Sequence, residues 1–260
     1  MTYAAIGLVA FFASALTLYS GFGLGTILLA AFSLFFPVPA AVAMTAVVHL
    51  LNNLFKSSLL GREADWRIVA RFGLPAVPAA IAGAALLAYL GSTSRIFEWE
   101  AFGRLYGPTA AGFTIGSLMI VFAALELQPW FQHLAAPPKL LPLGGMLTGF
   151  FGGLTGQQGA FRSVFLLKAG LDPGRFIATG VMVAVMVDLS RIPTYAANIG
   201  GAAAVSEQWR LMAFATACAF AGALLGSRYL RKATIGLVRA LVAGLMFIIG
   251  GALVAGLLGT

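Results

Sequence analysis

Eight long apolar runs dominate this sequence and leave few folds open to it. They fall near residues 3–36, 38–60, 67–90, 105–125, 139–169, 174–199, 209–229 and 235–258. About 20 consecutive apolar residues suffice for a helix to cross the hydrocarbon layer of a bilayer. Only 9% of the 260 residues are charged, against about 25% in a typical soluble domain. Because the runs are continuous rather than alternating, we expect an all-α polytopic membrane protein with a single transmembrane domain, residues 1–260, and not a β-barrel.

The charge balance and the residue types limit the classes of function that we expect for this chain. The net charge is +8, which in a soluble protein would suggest nucleic acid as a partner. In a membrane chain it reflects the basic residues of cytoplasmic loops, so we expect the lipid bilayer and no nucleic acid. The sequence contains no nucleophile triad, metal-ligand cluster or phosphate-binding loop. We therefore expect no enzyme activity, no metal and no cofactor.

Two of the apolar runs, the first and the fifth, are interrupted by glycine-rich stretches. These are residues 21–25 (GFGLG) and residues 152–159 (GGLTGQQG). Each half of an interrupted run is too short to span a bilayer alone. The run is then either one strongly tilted helix or a hairpin that enters the membrane and turns back.

The basic residues favour the hairpin. Two loops, between the second and third runs and between the seventh and eighth, are flanked by Lys and Arg and should both be cytoplasmic. The flanking residues are Lys56, Arg62, Arg67 and Arg71 at the first loop and Arg228, Arg231, Lys232 and Arg239 at the second. Five runs separate the two loops, so the loops share a side only if the fifth run is re-entrant. We predict six crossings, two re-entrant hairpins, and both termini on the non-cytoplasmic side of the inner (plasma) membrane.

A weak internal repeat agrees with this topology. A shift of 134 residues places Gly25 on Gly159, and also Pro39 on Pro173 and Thr45 on Thr179. We assign repeat 1 to about residues 1–127 and repeat 2 to about residues 138–260. Each repeat has one re-entrant hairpin and three transmembrane helices, and the odd number of crossings makes the two repeats inverted. Inverted repeats with interrupted helices are typical of secondary transporters, which bind substrate near the membrane midplane.

The glycine-rich break, the proline-led helix and the basic loop, present twice, resemble the TauE/SafE sulfite exporter family. The matching stretches are residues 21–25, 39–45 and 62–67 in the first half and 149–159, 173–179 and 209–210 in the second. The resemblance implies export of a small oxyanion, sulfite or a short organosulfonate such as sulfoacetate, by alternating access. Gln157 and Gln158 stand where the family usually has glycines. The alternatives are an importer or channel for a small carboxylate or another anion, or a membrane scaffold without a substrate; a homodimer is left open.

The candidate substrate-binding residues surround the two glycine breaks. Short helices starting near Leu24 and Gln158 would direct their N-termini at the bilayer centre, where free N–H groups and the helix dipole favour an anion by about 0.3–2 kcal/mol per terminus. The alternative role of the glycines is close helix packing. The residues predicted to bind substrate at the breaks are Gly23, Leu24, Gly25, Gln157, Gln158 and Gly159.

Arg162, one turn beyond the second break, is the best single candidate for an anion ligand. An arginine near the midplane costs about 2.5–3.5 kcal/mol, so it should face a polar cavity, and its planar fork suits an oxyanion. The alternatives are that it extends to the interface or pairs with Asp188. Thr155 is a further candidate to hydrogen-bond the anion.

The second run has a polar stripe of Thr45, His49, Asn52 and Lys56 at helical spacing. We predict that His49 and Asn52 line the substrate path; interhelical hydrogen bonding is the alternative. His49 is also a candidate coupling group, because histidine changes charge near neutral pH. We assign Lys56 to the cytoplasmic interface.

The sixth run places Asp188, Arg191 and Tyr195 on one helix face. A structural ion pair between Asp188 and Arg191 is the favoured interpretation, because pairing lowers the cost of both charges in the membrane. A role in coupling or gating for these three residues is the alternative.

Overall fold

The structure is a computed structural model that describes residues 1–17, 23–101, 103–198, 206–229 and 235–258. Part of the first glycine break, including Gly21, and two of the basic loop residues, Arg231 and Lys232, lie outside these ranges. The described chain is almost entirely helical, which confirms the predicted all-α membrane fold.

Eleven helices have defined bounds within the described ranges. The first five are α1 (Thr2–Thr17), α2 (Leu24–Ser33), α3 (Val38–Leu60), α4 (Trp66–Gly91) and α5 (Ala110–Leu127). The others are α6 (Pro129–Gln132), α7 (Leu141–Thr155), α8 (Gly159–Leu166), α9 (Pro173–Asn198), α10 (Trp209–Tyr229) and α11 (Ile235–Val254). Single 3₁₀ turns occur at Gly61–Glu63 and Pro138–Leu140. A small antiparallel hairpin between α4 and α5, β1 (Trp99–Ala101) and β2 (Arg104–Tyr106), was not predicted.

Five of these helices, α3, α4, α5, α9 and α10, are long and apolar enough to cross a bilayer. Helix α11 is also apolar and has 20 residues, about the length needed for a crossing. The described helices thus include five candidate spans and one further apolar helix of suitable length for the six predicted crossings, as expected of a polytopic membrane protein.

Helix ends fall where the local sequence requires them. Asp65 caps α4, because its side chain accepts hydrogen bonds from the backbone N–H groups of Arg67 and Ile68. Pro173 begins α9, a position where the missing N–H costs nothing. Gly23 (φ +102°) precedes α2 and Gly156 (φ +78°) ends α7, and only glycine adopts these left-handed conformations without strain.

The second break is the tip of a hairpin. Helices α7 and α8 have 15 and 8 residues, so at about 1.5 Å per residue neither covers the roughly 30 Å of hydrocarbon. The N–H of Ala136, before α7, donates to the carbonyl of Val164, near the end of α8, over 3.0 Å. Gly144 lies directly against the ring of Phe165, with no space for a Cβ. The chain therefore reverses at the break, as the basic residues predicted.

The first break also separates two short helices, close in length to those on either side of the second break. Helices α1 and α2 have 16 and 10 residues and contact each other. Residues 18–22, which connect them, lie outside the described ranges.

Helices α7 and α1 each pack closely against a helix from the other half of the sequence. Helix α7 lies on α4 and helix α1 lies on α10, with glycine at the contact so that backbones touch. The glycines are Gly145, Gly149 and Gly153 against the carbonyls of Phe72, Ala76 and Ala80, and Gly222 and Gly226 against those of Phe11 and Ala15. Helix α3 packs on α9 and α5 on α11. Each half of the sequence thus contributes one glycine-mediated contact of this kind to the other half. The repeat architecture and its boundaries stay a prediction.

Candidate functional site

A cavity lies where the N-terminal ends of α2 and α8 meet. A Cβ on Gly25 would lie 3.1 Å from the carbonyl oxygen of Gly156, so the two tips are almost in backbone contact. The cavity has a volume of about 40 Å³. This is room for about three waters or one small oxyanion. Helices α3 and α9 supply the other walls.

Most of the predicted binding residues line this cavity. They are Gly23, Leu24, Gly25, His49, Gln158, Gly159 and Arg162. Two predicted residues are not in the lining. Asn52 is buried and its Oδ1 accepts from Ser14 Oγ (3.2 Å), so it faces α1. Gln157 is buried, with its backbone N–H on Thr155 Oγ1 (3.2 Å).

Thr155 has a structural place in the hairpin. Its hydroxyl donates to the carbonyl of Phe151 (2.9 Å) and accepts from the N–H of Gln157. Both contacts shape the turn between α7 and α8. Thr155 is therefore absent from the cavity wall, contrary to its suggested role as a ligand.

Two cations line the cavity. Arg162 is 8% exposed and Lys56 is 6% exposed. The assignment of Lys56 to the interface is wrong, because its side chain is buried in the cavity wall rather than exposed at the end of α3. Among the described residues that line the cavity there is no carboxylate. The wall is accordingly electropositive.

Several further wall residues were not predicted, and two of them lie against predicted ones. Gly180 faces the guanidinium of Arg162, since a Cβ there would lie 3.2 Å from Arg162 Nε. Asn53 lines the cavity with its Nδ2 3.0 Å from Nδ1 and 3.3 Å from Nε2 of His49. The spacing of residues 49, 53 and 56 is itself helical, so this stripe was available in the sequence.

His49 connects the cavity to a buried ionic cluster. Its Nδ1 lies 2.6 Å from Oδ2 of Asp188, which is fully buried. The other carboxylate oxygen accepts from Gln158 Nε2 (3.1 Å) and from Arg191 Nε (3.0 Å). Arg191 Nη2 lies 2.8 Å from the same oxygen. This confirms the predicted ion pair between Asp188 and Arg191.

Arg191 and Tyr195 also anchor the end of α7. Arg191 Nη1 donates to the carbonyl of Gly152 (2.8 Å), and the Tyr195 hydroxyl donates to that of Gly153. Both carbonyls lie in the last turn of α7, at the negative end of its dipole, so a buried arginine is well placed there. The Gly152 carbonyl also accepts from the N–H of Gly156 (2.9 Å).

Asp65, at the end of the first basic loop, is part of a second link, away from the cavity. Arg175 Nη2 donates to Asp65 Oδ2 (2.8 Å), and the Asp65 N–H donates to Thr179 Oγ1 (3.0 Å). These contacts join the start of α4 to the start of α9. They account for Asp65 and Thr179 without a role in the cavity.

The comparison with protein families agrees with this architecture. The model of the family described as "Sulfite exporter TauE/SafE" matches residues 6–253, nearly the whole chain. The chain belongs to the TauE/SafE family. Comparisons with curated proteins and with solved structures give no significant match. As a TauE/SafE member, the chain is a multi-pass membrane transporter of the sulfite-exporter type, a class that acts on small anions within a lipid bilayer.

Proposed function

We propose that the chain is a secondary transporter that exports a small oxyanion, sulfite or a short organosulfonate such as sulfoacetate. The observation that supports this most directly is the cavity at the paired hairpin tips. Lys56, Arg162 and His49 line it, and no carboxylate is present among its described lining residues. Such a wall attracts anions and repels cations.

In this proposal Arg162 is the principal ligand, because a guanidinium can donate two parallel hydrogen bonds to an oxyanion. Lys56 adds a point charge from α3. The first N–H groups of α2 and α8 have no helical acceptor and face the tips, where they complete the anion site. Gln158, held by Asp188, positions the second tip.

Alternating access would follow from the two sides of this site. The cavity lies toward the C-terminal end of α3 and the N-terminal end of α9, the side whose loops are basic and predicted to be cytoplasmic. On the other side, Arg191 and Tyr195 hold the end of α7 closed. We propose that this is the cytoplasm-facing state and that rocking of the two inverted halves opens the opposite side.

A ligand panel tests the proposal. We expect sulfite and sulfoacetate to raise the thermal unfolding midpoint of the purified protein, because a ligand at 100 times its Kd stabilises a fold by about 2.7 kcal/mol. Acetate should stabilise less and choline, a cation, not at all. The same anions should move into liposomes that contain the protein. Indifference to the whole panel would favour a scaffold, and greater stabilisation by carboxylates would favour the carboxylate alternative.

Cysteine labelling tests the proposed topology. Single cysteines are introduced in a Cys218→Ala background, in cells whose outer membrane has been removed and whose inner membrane is intact. We expect an impermeant maleimide to label Thr2→Cys and Ser94→Cys in these cells. Lys168→Cys, in the loop between α8 and α9, should react only after permeabilisation. Labelling of Lys168→Cys in intact cells would contradict the re-entrant fifth run and the orientation of both termini.

A further inference from the structure

His49 has two different environments on its two ring nitrogens. Nδ1 contacts the buried carboxylate of Asp188, which accepts hydrogen bonds and is also paired with Arg191. An ionised carboxylate has no proton to donate, so Nδ1 holds the proton of this contact. The opposite edge of the ring faces Gly25 in the cavity, with Nε2 3.8 Å from the position of a Cβ there.

The charged and titratable groups around His49 come from three helices. Asp188, Arg191 and Tyr195 belong to the cluster on α9, and Arg162 reaches the cavity from α8. Lys56 is on α3 itself. The sequences of α2 and α7, which form the tips, contain no titratable side chain.

The protonation state of His49 decides what Nε2 offers to the cavity. In the neutral ring, Nε2 is an acceptor that repels an oxyanion, and Asn53 Nδ2 is near enough to donate to it. In the protonated ring, Nε2–H becomes a donor directed at the cavity, while Nδ1–H keeps its bond to Asp188. Because Asp188 is retained as partner in both states, the ring stays in place while its outer atom changes from acceptor to donor.

We propose that His49 carries one proton with each anion that the transporter moves. A proton from water adds to the Nε2 lone pair, the anion binds against the resulting N–H, and both leave on the other side of the membrane. The inference rests on the proposed anion site and adds its coupling ion. Anion and proton binding are then linked thermodynamically, each strengthening the other.

Proton uptake on anion binding measures this directly. Sulfoacetate is the probe, because its acidic groups stay ionised near neutral pH and do not themselves release or take up protons. In weakly buffered detergent solution, measured over a series of pH values, we expect saturating sulfoacetate to draw up to one proton per protein in the wild type. His49→Gln keeps an N–H for Asp188 but does not titrate, and uptake should be lost. His133→Gln, which alters the other histidine of the chain, at an exposed position, should behave as wild type.

The affinity of the wild type for sulfoacetate gives a second measurement that needs no variant. Above the pH at which His49 loses its proton, Kd should rise about tenfold per pH unit, as expected for one linked proton. Sulfoacetate binding without proton uptake and with a flat Kd would overturn the coupling and leave the anion site intact. Uptake that persists in His49→Gln would also overturn it and point to Lys56. Absence of any binding by the wild type would remove the proposed site and the coupling together.

Discussion

Arg162→Ala is expected to weaken sulfoacetate binding by at least about thirtyfold. Truncating one partner of a buried, hydrogen-bonded charge pair costs about 2–5 kcal/mol, and 2 kcal/mol corresponds to that factor. Arg162 is 8% exposed and lines the cavity opposite Gly180, so little water is present to replace its contacts. Isothermal titration of the purified protein gives Kd, and size-exclusion chromatography shows whether the variant is folded.

Two matched variants separate charge from geometry in this experiment. Arg162→Lys keeps the charge but loses the planar fork, so its Kd should lie between those of the wild type and Arg162→Ala. Arg71→Ala removes an exposed arginine on α4 and should change Kd little. An unchanged Kd in folded Arg162→Ala, or an equal loss in Arg71→Ala, would show that the anion binds elsewhere.

The fold was predictable because the bilayer imposes a strict condition on the chain. Without water, every backbone polar group must be satisfied within a helix, so the positions of long apolar runs nearly determine the spanning helices. The glycine breaks could be interpreted for the same reason, because each half of an interrupted run is too short to span the bilayer and must turn back. The hairpin of β1 and β2 lies outside this rule, and its three-residue strands are too short to show an alternating pattern.

The position of the cavity at the glycine breaks was predictable, but its individual lining residues were less so. Asn52 and Asn53 are adjacent and equally polar, yet successive residues on a helix point about 100° apart. Which of them faces the cavity depends on the rotation of α3, and packing against α2, α9 and α10 determines that rotation. The burial of Lys56 was hidden for a related reason, because the depth of a lysine near a helix end depends on its neighbours.

Asp188 contacts three residues that the sequence analysis treated as separate candidates. Its two oxygens contact His49 at the cavity, Gln158 at a hairpin tip and Arg191 at the end of α7. A change at any one of these groups therefore alters the hydrogen bonds available to the other two. In the proposed transport cycle, this shared carboxylate would connect anion binding to the contacts of Arg191 with the end of α7.

Asp188→Ala is expected to lower the free energy of unfolding by about 3–5 kcal/mol. The substitution leaves Arg191, which is 0% exposed, as a buried charge without its carboxylate, and such losses are of this size. His49 and Gln158 lose their acceptor as well. Unfolding of the purified protein by increasing SDS in mixed micelles, followed by circular dichroism, measures the change.

Two controls decide whether the buried charge is the cause. The double variant Asp188→Leu with Arg191→Met removes both charges, and we expect it to recover much of the lost stability, because an apolar pair can replace a buried ion pair at little cost. Glu98→Ala breaks the exposed pair Arg95–Glu98, which has the same spacing and an N–O distance of 3.1 Å, and should cost no more than about 1 kcal/mol. Two outcomes would contradict this account. If Asp188→Ala lowered the free energy of unfolding no more than Glu98→Ala does, the α7 carbonyls alone would suffice as partners of Arg191, and Asp188 would not be the centre of the cluster. If the double variant were as unstable as Asp188→Ala, the loss would come from His49 and Gln158 rather than from the unpaired arginine.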